Sequence, residues 1–293
     1  MRTVPANASP RQRIRRHFDR AAANYDAHAV LQQTIEQRLL ERLDLIRLQP
    51  KTLLDLGCGT GQGSIALQAR YPNASVISLD LSYNMARRTQ QRIITSGGPL
   101  TRLTAPWRRR SPPCLCADMT ALPLTDNRID LVFSNLAFQW SQDLPATLAQ
   151  CLASLRPGGL LLFTTLGVDT LNELRQAWRT VDDRSHVNTF ADLHDIGDAL
   201  AHGGFAEPVM DRERLTLTYR DAHDVLKDLR GIGADTVLDP HHRGLTPPAK
   251  LRAMLRAYNA MQQDGRVPAS YDILYGHAWK PLASPGGQPV AFQ

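Results

Sequence analysis

The segment Leu53-Leu54-Asp55-Leu56-Gly57-Cys58-Gly59-Thr60-Gly61-Gln62-Gly63 joins an apolar run, closed by an acid, to glycines at alternate positions. Ser64 to Tyr71 then reads as a helix. A buried strand that opens into glycines and re-enters as a helix lets a small ligand touch bare backbone, because glycine carries no side chain to hold it off. From Gly57 the dinucleotide spacing G-x-G-x-x-G/A fails at Gln62. A second acid, Asp80, closes the next apolar run, Val76-Ile77-Ser78-Leu79, at about the 20-residue offset where a strand-end carboxylate can accept both hydroxyls of a ribose. An adenosine ligand without a pyrophosphate fits both observations, and S-adenosylmethionine is the common one.

Strand and helix alternate from this point. Strands are expected at 52–56, 75–80, 114–117, 129–134 and 159–165, and helices at 61–70, 82–96 and 143–155. Such alternation predicts an α/β fold with a doubly wound, mostly parallel sheet. Arg156-Pro157-Gly158-Gly159 reads as a sharp turn before its strand. Ahead of the sheet, residues 11–48 look helical, with Ile14 and Phe18 set among Arg11, Arg13, Arg15, Arg16 and Arg20. After residue 166 the alternation fails. Helices are expected around Leu171–Trp178 and Leu193–Ala201 and at 221–230 and 247–263. Strands at 208–218 and 268–279 bring the sheet to seven. Extra helices among late strands are placed to form a lid over the carboxyl edge, where ligands bind. The expected organisation is a helical lead-in (1–50), a cofactor-binding core (51–166), a lid with the last strands (167–281) and a flexible tail (282–293). Residues 97–113, with Trp107-Arg108-Arg109-Arg110, read as an exposed basic insert.

No apolar stretch approaches the roughly 18 residues that a membrane span needs. The Arg-rich, acid-poor start has the composition of a transit segment, but helical sequence follows at once. Four cysteines without metal-ligand spacing suggest neither a metal site nor a disulfide framework, so a reducing cytoplasm is expected. A formal net charge of +6 favours an acidic partner, either nucleic acid or an acidic carrier protein. Acids and bases are interspersed through 169–230, which argues against a continuous nucleic-acid-binding face. Asp118 and Met119 follow the third strand, where a carboxylate can accept the amine of an adenine while the methionine covers the ring. Ser134-Asn135-Leu136 and the pair Phe138 and Trp140 follow the fourth.

Taken in order, the 53–63 segment, Leu79-Asp80-Leu81-Ser82, Asp118 with Leu122-Pro123-Leu124, and Arg156-Pro157-Gly158-Gly159 resemble the class I S-adenosylmethionine-dependent methyltransferases. Phe18-Asp19-Arg20-Ala21-Ala22-Ala23-Asn24-Tyr25-Asp26, Gln139-Trp140, His186-Val187-Asn188 and Leu229-Arg230-Gly231-Ile232-Gly233-Ala234 extend the likeness over about residues 11–281. Within the superfamily these segments are similar to the malonyl-acyl-carrier-protein O-methyltransferases of biotin synthesis. The insert 97–113 and the tail depart from the pattern without touching the cofactor motifs. The resemblance implies that Asp55, Gly57, Gly59, Gly61, Leu81 and Ser134 surround S-adenosylmethionine, with Asp80 on the ribose and Asp118 and Met119 on the adenine. Tyr25 would stand near the active site. The acceptor would be a malonyl thioester on an acidic acyl carrier protein. Its carboxylate is already an anion at neutral pH, so no general base and no metal are required. An arginine fork is the natural grip on two oxygens, and Arg184, ahead of Arg175 or Arg179, is expected to supply it beside His186. The competing expectations are a methyltransferase-fold protein acting on a protein arginine, as hydroxylase-type assembly factors do, and a nucleic-acid-binding module.

Overall fold

In the computed structural model, which describes residues 8–96, 113–234 and 246–282, seven strands form one sheet in the order β3-β2-β1-β4-β5-β7-β6. They are β1 (Thr52–Leu56), β2 (Ser75–Asp80), β3 (Cys114–Cys116), β4 (Ile129–Ser134), β5 (Leu155–Leu166), β6 (Ala206–Tyr219) and β7 (Val267–Trp279). Strands β1 to β5 pair in parallel, and β7 runs antiparallel to both β5 and β6. This is the doubly wound, mostly parallel seven-stranded α/β sheet that the alternation predicts.

Strand side chains alternate between two buried faces. Leu53, Val76, Leu131, Phe133, Leu160 and Leu162 pack on one side, under α3 (Val30–Arg42), α7 (Asn172–Arg179), α9 (Ala222–Gly231) and α10 (Pro248–Asn259). Leu54, Leu56, Leu79, Val132, Leu161 and Phe163 pack on the other, under α6 (Leu144–Ser154) and α8 (Leu193–His202). Helices α4 (Gln62–Arg70) and α5 (Tyr83–Ser96) follow β1 and β2.

One expectation changes. Arg156–Gly159 is not a turn before β5 but lies within it. The register moves from Ile129↔Leu155 to Leu131↔Leu160, and the extra residues bulge. Strand β7 is buried along both rows of side chains, because it lies between β5 and β6 with both faces covered.

The described residues of the lead-in form three α-helices and a short 3-10 turn at Leu43–Leu45. α1 (Pro10–Ala21) starts with a capping box between Ser9 and Gln12 and carries proline in its first turn. The chain breaks at Ala22–Asn24, forms the short α2 (Tyr25–His28), and continues into α3. Arg38 pairs with Glu213 and Arg42 with Asp211, which fastens α3 to β6. Lead-in and lid meet at Gly231, where a Cβ would stand 2.4 Å from the His28 ring. His28 Nδ1 also lies 2.9 Å from Asp228 of α9. Only glycine allows that approach. Of the insert 97–113 only Pro113, and of the tail only Leu282, belong to the described residues.

Candidate active site

The carboxyl ends of β1 to β4 open into a cavity of about 890 Å³. Its floor is the loop after β1. Backbone N–H groups of Gly57 and Cys58 both donate to the Leu79 carbonyl, at 2.8 and 3.0 Å, which clamps the loop to β2. Gly57 adopts φ +80°, and a Cβ there would lie 2.4 Å from the Ala137 Cβ. Gly59 adopts φ +54°, lines the cavity, and has no atom within 4 Å of where a Cβ would project. The first glycine is thus required by packing, and the second leaves open a space that a ligand can fill.

Asp80 ends β2 on the cavity wall and is 9% exposed. Its Oδ2 accepts from Gly59 N at 2.9 Å and its Oδ1 from Ser82 N at 2.7 Å. Each oxygen keeps a lone pair for a ligand hydroxyl. Burial raises this carboxyl to about 7 despite the two N–H donors that favour its anion. Leu81, Asp118 and Met119 complete that end of the wall. Asp118 serves two purposes. Its Oδ1 caps the turn at Thr120 N, 2.9 Å away, while its Oδ2 receives Arg11 of α1 at 2.8 Å.

Three expected cofactor contacts lie behind the wall rather than in it. Asp55 accepts a hydrogen bond from Ser64 Oγ at 2.5 Å, and burial raises its carboxyl to about 6. Gly61 is the N-cap of α4 and packs on Thr89. Ser134 Oγ donates to the Leu56 carbonyl at 2.8 Å, joining β4 to β1. Alternation along a strand explains Asp55: the residue that ends an apolar run can point beneath the loop instead of over the edge.

Tyr25, from α2, does line the cavity. Burial, then the neighbouring Asp80, Glu36 and Asp26, push its phenol above the ordinary range, so it stays a neutral donor. The next residue secures it. Asp26 accepts from Thr60 Oγ1 at 2.6 Å and Gln62 Nε2 at 3.3 Å and pairs with Arg92, so the lead-in is tied to the glycine loop itself. Phe18 of α1 meets Trp140 edge-on, with centroids 5.2 Å apart, and both line the cavity. Phe138 instead stacks on Phe163 in the core.

The far end is the lid. Leu171, Leu174, Trp178, Phe190, Leu226 and Leu229 give it an apolar wall. His186 also lines it, stacked on Trp178 at 3.7 Å with planes 6° apart, and its Nε2 lies 2.8 Å from Asp182 Oδ1. Lys250 of α10 donates to the other oxygen of Asp182 at 2.8 Å. Chiefly through Lys250, and then His186, Asp182 is held well below the usual carboxylate range. Arg184 is not part of the wall. Its side chain is exposed, and the residue meets Asp182 through its backbone N–H at 3.2 Å. Arg175 donates to the Thr170 carbonyl at 3.3 Å, and Arg179 is exposed; neither lines the cavity. Among the described residues the arginines that do are Arg11 and Arg230, the latter at the end of α9. Arg230 sits in the Leu229–Ala234 segment that the sequence had marked without assigning it a task.

The methyltransferase-domain family profile matches residues 54–163. A malonyl-[acyl-carrier protein] O-methyltransferase from Gallionella capsiferriformans is 49% identical over 272 residues, covering 92% of this chain and 90% of that protein. One of the same name from Laribacter hongkongensis is 48% identical over 275 residues, covering 94% and 91%. Among solved structures, the YcgJ protein of Bacillus subtilis matches 84% of this chain and 100% of its own with a TM-score of 0.56. At 12% identity that is a likeness of fold alone.

Proposed function

Because this chain belongs to the malonyl-[acyl-carrier protein] O-methyltransferase family, we propose that it methylates the free carboxylate of a malonyl thioester on acyl carrier protein, with S-adenosylmethionine as donor. The product is the malonyl methyl ester that primes biotin synthesis. One observation carries the reading: a single cavity has the bare-backbone loop and two strand-end acids at one end, and an apolar lid with an arginine at the other. The residues suit the donor. Space for a ligand opens above Gly59, Asp80 presents two acceptors for ribose hydroxyls, and Asp118, Met119 and Leu81 suit an adenine. When bound, S-adenosylmethionine supplies a methyl group on a sulfonium sulfur.

The chain's own task is orientation. The nucleophile is a carboxylate, ionised at neutral pH, so no side chain has to remove a proton. Arg230 offers a planar fork to its two oxygens, and His186, held by Asp182, fixes part of the lid wall. Tyr25 remains a neutral hydroxyl that can donate without adding charge. Apolar lid residues exclude water and strengthen each of these polar contacts. Holding reacting atoms in line is worth up to about 7–11 kcal/mol in well-aligned systems.

An acidic carrier protein is the partner that suits the exposed arginines Arg11, Arg15 and Arg20 on α1, beside the cavity that α1 helps to wall. We place the protein in the cytoplasm, a reading supported by four unbonded thiols. Among the described residues no helix is long and apolar enough to cross a membrane. The named relatives favour this activity over methylation of a protein arginine and over nucleic-acid binding. The test offers methyl-labelled donor together with malonyl carrier protein, an arginine-rich peptide or RNA. Label is expected on the carrier protein alone; label on the peptide or RNA with none on the carrier would overturn the proposal.

A further inference from the structure

One buried polar atom along the cavity has no counterpart. The side-chain carbonyl oxygen of Gln32 is shielded from solvent and accepts no hydrogen bond among the described residues. Gln32 lies in the first turn of α3 and lines the cavity. The residue is held in place, since Asn135 Nδ2 donates to its backbone carbonyl at 3.0 Å and Thr164 Oγ1 donates to Asn135 Oδ1 at 2.8 Å. Native proteins rarely leave a buried acceptor unpaired, because its lost hydration is not repaid. The atom therefore marks where a ligand donor belongs.

Sheet order says which part of a ligand arrives there. Asp118 follows β3, Asp80 ends β2, the glycine loop follows β1 and Asn135 follows β4, and these four strands are consecutive neighbours. An extended ligand with its base at β3 and its ribose at β2 crosses the loop of β1 and ends at β4, against Gln32. The unpaired atom is a carbonyl acceptor, so it selects between the two charged groups of an amino-acid tail: an ammonium has N–H groups to donate, whereas a carboxylate has only lone pairs to set against it.

We propose that Gln32 accepts a hydrogen bond from the α-ammonium of the donor's amino-acid tail, and so fixes the end of the ligand nearest the acceptor. The inference rests on S-adenosylmethionine being the donor. Calorimetry with two probes tests it: S-adenosylhomocysteine, which has the amino-acid tail, and 5′-methylthioadenosine, which lacks it. In Gln32→Leu the affinity for S-adenosylhomocysteine falls by roughly ten- to a hundredfold, the loss of one hydrogen bond to a charged group, while that for methylthioadenosine is unchanged. Gln32→Glu, which keeps an acceptor, retains S-adenosylhomocysteine. The ligand-free Gln32→Leu protein melts no lower than wild type, since an unpaired acceptor has been removed; a purely structural role for Gln32 would lower its Tm. Equal loss of both probes, loss of neither, or weakening of only the carrier thioester overturns the assignment. Failure of the wild-type protein to bind either probe would instead sink the donor reading beneath it.

Discussion

Replacing Gly59 with alanine separates the ligand's claim on the glycine loop from the fold's. Gly59 adopts φ +54°, so an alanine there pays for a left-handed backbone, about 1–2 kcal/mol. For a protein of this size that lowers Tm by only a few degrees. No protein atom lies within 4 Å of the added carbon, so packing adds nothing to the cost. The methyl projects instead into the cavity, where it holds a ligand off the backbone. Lifting the ribose off the two Asp80 acceptors, at some 1–1.5 kcal/mol each, weakens binding by roughly 30- to 150-fold. Gly57→Ala is the contrasting variant. Its Cβ falls 2.4 Å from the Ala137 Cβ, so the loop itself must shift and the ligand-free protein is destabilised far more. The assay pairs thermal melting of ligand-free protein with calorimetry of S-adenosylhomocysteine. A folded Gly59→Ala variant that binds this ligand like wild type would refute the reasoning, because the loop would then not be the ligand's wall.

Four further outcomes follow from the site. Asp80 at about 7, Asp55 at about 6 and Glu36 at about 8 are all raised above their unfolded values, chiefly by burial. Their stabilising share is complete below the unfolded carboxylate range and is lost as pH climbs through these values. Ligand-free protein should therefore show a shallower fall of Tm with rising pH in Asp80→Asn than in wild type. S-adenosylhomocysteine should bind more tightly as pH rises through 7, with proton release visible in buffers of different ionisation enthalpy; an affinity flat across that range contradicts the role of the Asp80 anion. Arg230→Ala should raise KM for the malonyl thioester about tenfold or more, as for a lost charged hydrogen bond, and leave S-adenosylhomocysteine affinity intact, whereas Arg184→Ala should change neither. Equal effects from both arginines would remove Arg230 from the acceptor site. Added salt should weaken carrier-protein binding markedly while sparing S-adenosylhomocysteine; salt-independent carrier binding would dismiss the electrostatic docking.

What could be read from residue order was the part of the site built on strand ends. Asp80 and the glycines are legible because a parallel strand that stops at the carboxyl edge must place its next residues over the ligand crevice. Asp118 was equally legible, although it both caps a turn and lines the cavity. Side-chain direction was not legible. Asp55 and Ser134 stand in the right segments yet point into the framework, where Ser64 Oγ and the Leu56 carbonyl hold them. Lid residues are harder still, since their positions depend on helices packing across long gaps in sequence. Arg184 lies two residues from His186 and remains exposed, while Arg230 reaches the cavity because α9 docks against α2 at Gly231. Gln32 gave no signal, being one polar residue beside the core stripe of Leu31, Ile35 and Leu39. Arg156–Gly159 misled for a local reason: proline and glycine mark turns and bulges alike, and only pairing with β4 distinguishes them.

The most direct test of the central claim is the intact mass of malonyl-loaded acyl carrier protein before and after incubation with this protein and S-adenosylmethionine. The expected result is a gain of one methylene on the malonyl group, abolished when acetyl replaces malonyl and the free carboxylate is gone. An unchanged mass with active, S-adenosylhomocysteine-binding protein, or an equal gain on acetyl carrier protein, would contradict it.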